Sequence, residues 1–247
     1  MLRHHVQKSA ADAKRYYAAA DYYAAGSVLR PAFGGLTAER LGVTGPASKE
    51  HFDRLCDNLH PLTGEKLTVR QRADRVVGVD FTFDGPKSFG VLAALTDDAR
   101  LTQALHDATV ETLAEMERHV STRVRVNGKT DENRTTGNML YYLVAHGESR
   151  PVDGVPDMNP HLHAFLLNVT WDETEKRYKA ANLVDVMRDM TYYQSAFHQR
   201  LATKLEALGY EVERKGNCFE VLGIPKSVTD KFSRRTQLIE AEAKKQG

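Results

Sequence analysis

Cysteines and long apolar runs are scarce in this sequence. Only Cys56 and Cys218 occur among the 247 residues, which is too few for a disulfide framework or a cysteine-based zinc site. No stretch approaches the length of a membrane-spanning helix, and the opening MLRHHVQKSAADAK lacks the apolar core of a secretion signal. Internal repeats, low-complexity segments and an interdomain linker are also missing. We therefore expect a single domain without a membrane segment, located in a bacterial cytoplasm.

A large excess of charge of either sign is missing as well. The formal net charge is +1, and the hydrophobic fraction of 41% and charged fraction of 27% are typical of a globular domain. The charges are nevertheless segregated, because acidic residues predominate from 97 to 117 and basic residues from 214 to 235. This distribution indicates either a positive surface for an anionic partner or ordinary solvated helix faces.

Apolar alternation predicts strands in several segments, and amphipathic patterning predicts helices in others. The strands are expected in RVVGVDFTFDG, STRVRV, GNMLYYLVAH and HLHAFLLNVTW, with the turn-rich NGKTDENRTT between the second and third. Helices are expected in the alanine-rich SAADAKRYYAAADYYAAG, over 98–120 and over 184–208, and a YEVERKGNCFEVLG hairpin precedes a final basic helix. The pattern predicts an α+β fold, an antiparallel sheet with helices segregated around it.

Two histidines stand one residue apart at the start of an apolar strand. His161 and His163 in PHLHAFLLN share one face, because strand side chains at i and i+2 point the same way. His146 ends the preceding predicted strand, and sequential strands commonly pair antiparallel, which would bring it beside them. Three imidazoles suit zinc, manganese or nickel and leave open coordination positions for a substrate oxygen. The alternative is a set of ordinary polar residues on a solvated face.

An acid interrupts the apolar strand VGVDFTF. A buried carboxylate without a partner costs free energy, so Asp80 requires one. An imidazole that ligates a metal is one candidate partner, because carboxylates orient such rings. A salt bridge to Arg70, Arg72 or Arg75 is the other.

Five segments together resemble one protein family. In order along the chain they are DYYAAG, VDFTFDGPKS, TTGNMLYYLVAHGESR, PHLHAFLLNVT and KFSRRTQLIE. They resemble the MobF (TrwC/TraI-like) conjugative relaxases, which are HUH endonucleases, and the resemblance runs from Met1 to about Glu240. It implies a single relaxase domain over 1–247 with a central five-stranded antiparallel sheet flanked by helices. It also implies that a helicase domain follows in the full-length protein.

The resemblance implies a chemistry as well. In the family, a tyrosine hydroxyl attacks a DNA phosphodiester at the nic site of a plasmid transfer origin, leaving a 5′-phosphotyrosine and a free 3′-OH and so initiating conjugative transfer. A divalent ion assists, for which we expect Mn²⁺ or Mg²⁺, with Zn²⁺ and Ni²⁺ as alternatives. By motif, the metal ligands are His146, His161 and His163, the neighbouring acid is Asp80, the first nucleophile is Tyr16 and the second is Tyr22, with Tyr17 and Tyr23 as the alternatives within each pair.

Several basic residues are candidates for contacts with the DNA backbone. They are Lys87, Arg123, Arg125, Arg134, Arg234 and Arg235. The family binds an origin hairpin as duplex and the adjacent strand as single-stranded DNA, and we expect a monomer that works with accessory proteins of the relaxosome. The N-terminal Arg3, His4 and His5 lack a predicted strand and are expected in the DNA cleft rather than as metal ligands.

Other interpretations of the same residues remain open. Tyr192 and Tyr193 lie on a predicted helix after the HLH strand, which is the order found in rolling-circle replication initiators and HUH transposases. The segments around Tyr16 and Asp80 favour the relaxase order instead. A non-catalytic module that only binds the origin hairpin is a function of a different class, and a general metallophosphoesterase would not need the tyrosines.

Overall fold

The sequence folds into four antiparallel sheets and eight helices within the residues that the computed structural model describes, which are 2–23, 29–69, 75–96, 98–126, 129–149, 151, 154–234 and 238. The helices are α1 (Ala10–Tyr23), α2 (Leu36–Leu41), α3 (Lys49–Cys56), α4 (Lys87–Thr96), α5 (Ala99–Glu117), α6 (Val184–Arg188), α7 (Met190–Ala207) and α8 (Lys226–Lys231). The strands are β1 (Leu2–Gln7), β2 (Ala32–Gly34), β3 (Gly45–Pro46), β4 (Gly78–Asp84), β5 (Ser121–Val126), β6 (Lys129–Thr135), β7 (Tyr141–Glu148), β8 (Met158–Leu167), β9 (Thr170–Asp172), β10 (Arg177–Lys179), β11 (Ala181–Asn182), β12 (Val212–Lys215) and β13 (Cys218–Val221). Across these described ranges, no helix combines the length and apolar character needed to span a membrane.

The main sheet has six strands in the order β1-β4-β8-β7-β2-β3. The α+β class is therefore confirmed, whereas the expected count of five strands is wrong. Two of the six, β2 and β3, are three and two residues long, too short for alternation to reveal them. β1 has the largely polar sequence LRHHVQ, which fits its position at the edge of the sheet, where one side has no partner strand.

Two further segments differ from the sequence-based expectation. Most of NGKTDENRTT is not a turn but strand β6, which pairs with β5 in a separate sheet of order β11-β5-β6. The single helix expected over 184–208 is two helices, α6 and α7, which meet at Asp189. Neither difference changes the central strands that carry the predicted site.

The main sheet separates two apolar cores, and strand alternation assigns side chains to each. From β8, Leu162, Ala164 and Leu166 pack in the core formed with α4, α5 and α7. Phe165 and Leu167 point the other way and pack in the core formed with α1 and α3. The two histidines of the HLH motif share this second face by alternation, so they lie on the side of the sheet that α1 covers.

An ion pair with a buried carboxylate joins the β5–β6 hairpin to the β9–β10 hairpin. Asp172 is fully buried (0% exposed), and its two carboxylate oxygens accept hydrogen bonds of 3.0 and 2.8 Å from Arg134. Lys179 lies 3.3 Å away, and the backbone N–H groups of Thr174 and Glu175 also donate to Asp172. Burial raises the pKa of Asp172, but these donors outweigh that effect and hold the pKa below its ordinary value. Arg134, predicted as a DNA contact, therefore has a structural partner.

Replacing Arg134 should destabilise the domain. Arg134→Ala leaves the buried carboxylate of Asp172 with fewer donors, so we expect the free energy of unfolding to fall by about 2–3 kcal/mol, with Lys179 compensating in part. Arg123→Ala, an exposed position on the paired strand β5, should change it by less than about 0.5 kcal/mol. Urea unfolding followed by circular dichroism compares the two variants. Equal stabilities would contradict a structural role for Arg134.

Candidate active site

Three histidines from neighbouring strands converge on the face of the sheet that α1 covers. The antiparallel register of β7 and β8 sets His146 opposite His161. One ring nitrogen from each of His146, His161 and His163 lies within 4.8 Å of the others. The Nε2 atoms of His161 and His163 are 3.2 Å apart. The three histidines therefore converge, as the antiparallel pairing of the two sequential strands predicts.

The protonation states of these rings suit metal binding. Burial, followed by the charges of the neighbouring histidines, lowers the pKa of His146 and of His161 to about 4, so both rings are neutral at pH 7. His161 Nδ1 lies 2.6 Å from the backbone oxygen of Asn159; if Nδ1–H donates to it, Nε2 keeps its lone pair. His146 Nε2 is buried without a hydrogen-bond partner among the described residues, which costs free energy unless a ligand is bound. The donor set therefore fits a divalent metal ion.

Asp80 orients the third ring. Its Oδ2 atom lies 2.7 Å from His163 Nδ1, so the Nδ1–H group donates to the carboxylate and Nε2 faces the other histidines. A carboxylate behind a ligating imidazole is the usual arrangement around histidine-bound metals. Of the alternative partners, Arg75 donates to a backbone carbonyl, and Arg70 and Arg72 lie outside the described residues.

The first tyrosine pair divides between the site and the core. Adjacent residues on a helix point about 100° apart, and Tyr16 places its hydroxyl 3.3 Å from His163 Nε2 with its side chain 37% exposed. Tyr17 is 3% exposed, and burial, with a contribution from Asp80, raises the pKa of its hydroxyl well above the ordinary value. The rings that surround it are those of Phe52, Tyr142 and Phe165. Tyr17 is thus a core residue, and Tyr16 is the one that reaches the histidines.

The other tyrosines are placed differently. Tyr22 and Tyr23 belong to the last turn of α1, and their side chains lie outside the described part of the structure. Tyr193 is 2% exposed in the core on the opposite face of the sheet, and the Tyr192 hydroxyl donates to Glu115 on α5. The pair on α7 therefore packs on the side of the sheet that faces away from the histidines.

Four of the predicted DNA contacts lie in two regions of the described structure. Arg123 and Arg125 are exposed on β5 and line a groove of about 720 Å³ whose other basic residues are Arg75, Arg177 and Lys179. Lys87 begins α4, and burial lowers its pKa even though Asp157 and Asp84 act in the opposite direction. Arg234 lies 3.9 Å from Asp157, and Arg235 lies outside the described residues.

The N-terminal residues do form a strand, contrary to expectation. β1 pairs with β4 in a register that sets Arg3 opposite Thr82 and His5 opposite Asp80. Because directly opposite residues share a face, Arg3 and His5 lie on the histidine side. Sequence reasoning also missed the backbone oxygen of Asn159 as the partner of His161, and a backbone contact leaves no signal in residue types.

Comparison with known proteins agrees with this geometry. The sequence model of the TrwC relaxase family matches residues 9–247. The multifunctional conjugation protein TraI of Escherichia coli is 32% identical over 250 residues, covering 97% of this chain but only 14% of TraI. TraI of Escherichia coli strain K12 is 32% identical over 243 residues, covering 94% of this chain and 13% of TraI.

Solved structures of the relaxase TrwC share the fold. The metal-bound complex of TrwC with oriT DNA has a TM-score of 0.87 and 27% identity, covering 98% of this chain and 82% of TrwC. The complex with a 27-mer DNA that comprises the recognition hairpin and the cleavage site has a TM-score of 0.85 and 27% identity, covering 100% of this chain and 84% of TrwC. With its family model matched over nearly its full length, this chain belongs to the TrwC relaxase family.

Proposed function

We propose that this chain nicks DNA at a plasmid transfer origin, at one site and on one strand, and transfers the cut strand to initiate conjugation. The observation that carries the proposal is the position of the Tyr16 hydroxyl, 3.3 Å from His163 Nε2, within a cluster of three histidines that fits a metal ion. TrwC, with the same fold, has been solved with oriT DNA and with metal. The proposal of DNA transesterification is therefore supported by a tyrosine hydroxyl placed to attack, by three histidines that fit a metal ion, and by membership of the TrwC relaxase family.

His146, His161 and His163 would hold the divalent ion. When bound, the ion supplies a Lewis acid that polarises the scissile phosphate and offsets the negative charge that develops during attack. We propose Mn²⁺ or Mg²⁺, with Zn²⁺ and Ni²⁺ as alternatives that imidazole ligands also suit. Asp80 accepts the Nδ1–H hydrogen bond of His163, which keeps the ring in one tautomer and raises the basicity of Nε2.

Tyr16 would act as the nucleophile. A tyrosine hydroxyl has a pKa near 10 and must lose its proton to attack effectively. The hydroxyl proton would pass to solvent, and the tyrosine oxygen would form a bond to phosphorus while the bond from phosphorus to the 3′ oxygen breaks. The leaving 3′ oxygen would take up a proton from solvent. The phosphotyrosine retains the energy of the cleaved phosphodiester, so the strand can be resealed without ATP.

Tyr22 would carry out a second cut. A protein that ends strand transfer at the regenerated junction needs a second nucleophile, because the first is occupied by the covalently bound strand. Tyr22 lies six residues after Tyr16 on the same helix, with Tyr23 as the alternative. We propose this role from the family motif.

The partners and setting follow from the same proposal. The DNA would be an origin hairpin with its adjacent single strand, and Arg123 and Arg125 in the basic groove would contact phosphates. Relaxosome accessory proteins, a monomeric state and a bacterial cytoplasmic location are also proposed, since plasmid DNA is processed there. Because the chain corresponds to 14% of the length of TraI, we propose that it is the nicking domain of a longer protein that includes a helicase.

Metal removal should abolish nicking. We expect EDTA to stop cleavage of a single-stranded oligonucleotide carrying the cognate transfer origin, and Mn²⁺ or Mg²⁺ to restore it, on a denaturing gel. His161→Ala and His163→Ala should each lose most activity while keeping most affinity for the oligonucleotide, because binding depends on phosphate contacts elsewhere. His106→Ala on α5, on the opposite side of the sheet, is the control and should cleave normally. Full cleavage by the His161/His163 double variant in chelator would rule out the metal assignment.

Removal of one hydroxyl should identify the nucleophile. Tyr16→Phe keeps the ring but deletes the attacking oxygen, so it should fold, bind the origin and form no covalent adduct. Tyr17→Phe is the matched control, because the deleted hydroxyl is buried in the core, and it should still form the adduct. Tyr22→Phe should spare the first cut and impair strand transfer.

Peptide mapping of the trapped DNA adduct provides the decisive measurement. We expect the phosphotyrosine at Tyr16. A phosphotyrosine at Tyr192 or Tyr193 would instead indicate a replication initiator or transposase. Binding that survives chelation, with no adduct at any tyrosine, would leave only a hairpin-binding module.

A further inference from the structure

An arginine at the second residue of β1 lies on the same face of the sheet as the histidine cluster. Arg3 is opposite Thr82 in the β1–β4 pair, and Thr82 is opposite His163 in the β4–β8 pair. Opposite residues in antiparallel strands share a face, and adjacent strands lie about 4.8 Å apart. The Cα atoms of Arg3 and His163 are therefore separated by two strand spacings, roughly 10 Å, which is within the combined reach of an arginine side chain and a bound phosphate.

A buried carboxylate holds the Arg3 side chain in place. Arg3 Nη2 donates to Asp84 Oδ2 at 2.8 Å, and Asp84 is opposite His161 in the β4–β8 register. The Asp84 side chain is 8% exposed, whereas the Arg3 side chain is 64% exposed. The hydrogen bond to Asp84 on β4 thus holds the guanidinium, while most of the Arg3 side chain remains exposed to a ligand on the histidine side.

This pairing contributes little to folding by itself. Ion pairs with an exposed partner typically stabilise a protein only slightly, and a largely buried carboxylate such as Asp84 has a desolvation cost to offset. The guanidinium has five N–H donors in a planar fork, of which the hydrogen bond to Asp84 uses one. Such a fork matches the oxygens of a phosphodiester.

We propose that Arg3 contacts a phosphate of the single-stranded DNA next to the scissile phosphodiester, with Asp84 as its positioning residue. The proposal rests on the proposed nicking function, because it identifies how the strand is held at the metal site. Arg3 would hold the single-stranded DNA where it crosses the sheet from β8 toward β1. The phosphodiester attacked by Tyr16 would then stay over the histidines.

Equilibrium binding tests this contact independently of cleavage. Fluorescence anisotropy with the origin oligonucleotide, in the Tyr16→Phe background, should show that Arg3→Gln lowers affinity about tenfold at low salt. The slope of log affinity against log salt should also become shallower by about 0.7, the value for one phosphate contact on single-stranded DNA. Arg3→Lys keeps the charge and should retain the slope while losing part of the affinity.

A matched control is available on the opposite side of the sheet. Arg100 pairs with Asp98 at 2.7 Å, and its side chain is also 64% exposed, but it lies on α5, which packs in the other core. Arg100→Gln should leave both affinity and slope unchanged. Asp84→Asn distinguishes a structural role from a DNA contact. It weakens the anchor by removing its charge but keeps the Arg3 cation, so it should keep the wild-type salt slope, whereas a purely structural pair would make it behave like Arg3→Gln.

Neutral DNA linkages locate the phosphate. A series of oligonucleotides, each with one methylphosphonate near the nic site, should include one position where the neutral linkage weakens wild-type binding about tenfold but leaves Arg3→Gln unaffected. An unchanged salt slope in Arg3→Gln, or equal losses in both proteins at every position, would overturn the proposal. Wild-type protein that binds but does not nick would refute the nicking function and leave the Arg3 contact intact, so the two failures are distinguishable.

Discussion

The register between β7 and β8 is the constraint on which the site depends. It sets His146 opposite His161, and the two-residue period of β8 then places His163 beside them on the same face. A slip of one residue would move β8's histidines to the core lined by α4, α5 and α7 and expose apolar side chains on the other side. Since alternate residues of β8 fill two different cores, the packing that stabilises the sheet also fixes the positions of the three histidines.

Carboxylates that are buried or largely buried organise the charges around this sheet. Asp80 accepts from a histidine, Asp84 holds an arginine, and Asp172 joins two hairpins through Arg134. Each carboxylate is compensated by a donor on a different element, so its desolvation cost is linked to a particular tertiary contact. An aspartate thus orients an imidazole in the first case and holds a guanidinium at the rim of the site in the second. In the third case it joins two hairpins of the scaffold. Only the partner and its exposure distinguish these roles.

Strand period and sequential pairing predicted the α+β class and the convergence of the histidines, whereas these patterns left the partner of Asp80 open because β4 and β8 are not sequential strands. The six-stranded sheet was missed because β2 and β3 are too short to show a period. β6 was read as a turn because its polar residues hide its pairing with β5. The role of Arg134 depends on Asp172, 38 residues away, and no local pattern reports a contact at that separation.

Tyr16 and Tyr17 carry identical side chains, but helix geometry gives them different surroundings. Both carry the same hydroxyl, and their positions on α1 differ by one residue. Tyr16 points toward the histidines at the exposed edge of the core. Tyr17 is enclosed by aromatic rings, and its burial, with a contribution from Asp80, raises the pKa of its hydroxyl. The packing of Tyr17 in this core fixes the orientation of α1 about its axis. In that orientation the Tyr16 hydroxyl lies beside His163. The buried tyrosine thereby positions its exposed neighbour beside the histidines, so the two adjacent tyrosines have different places in the structure.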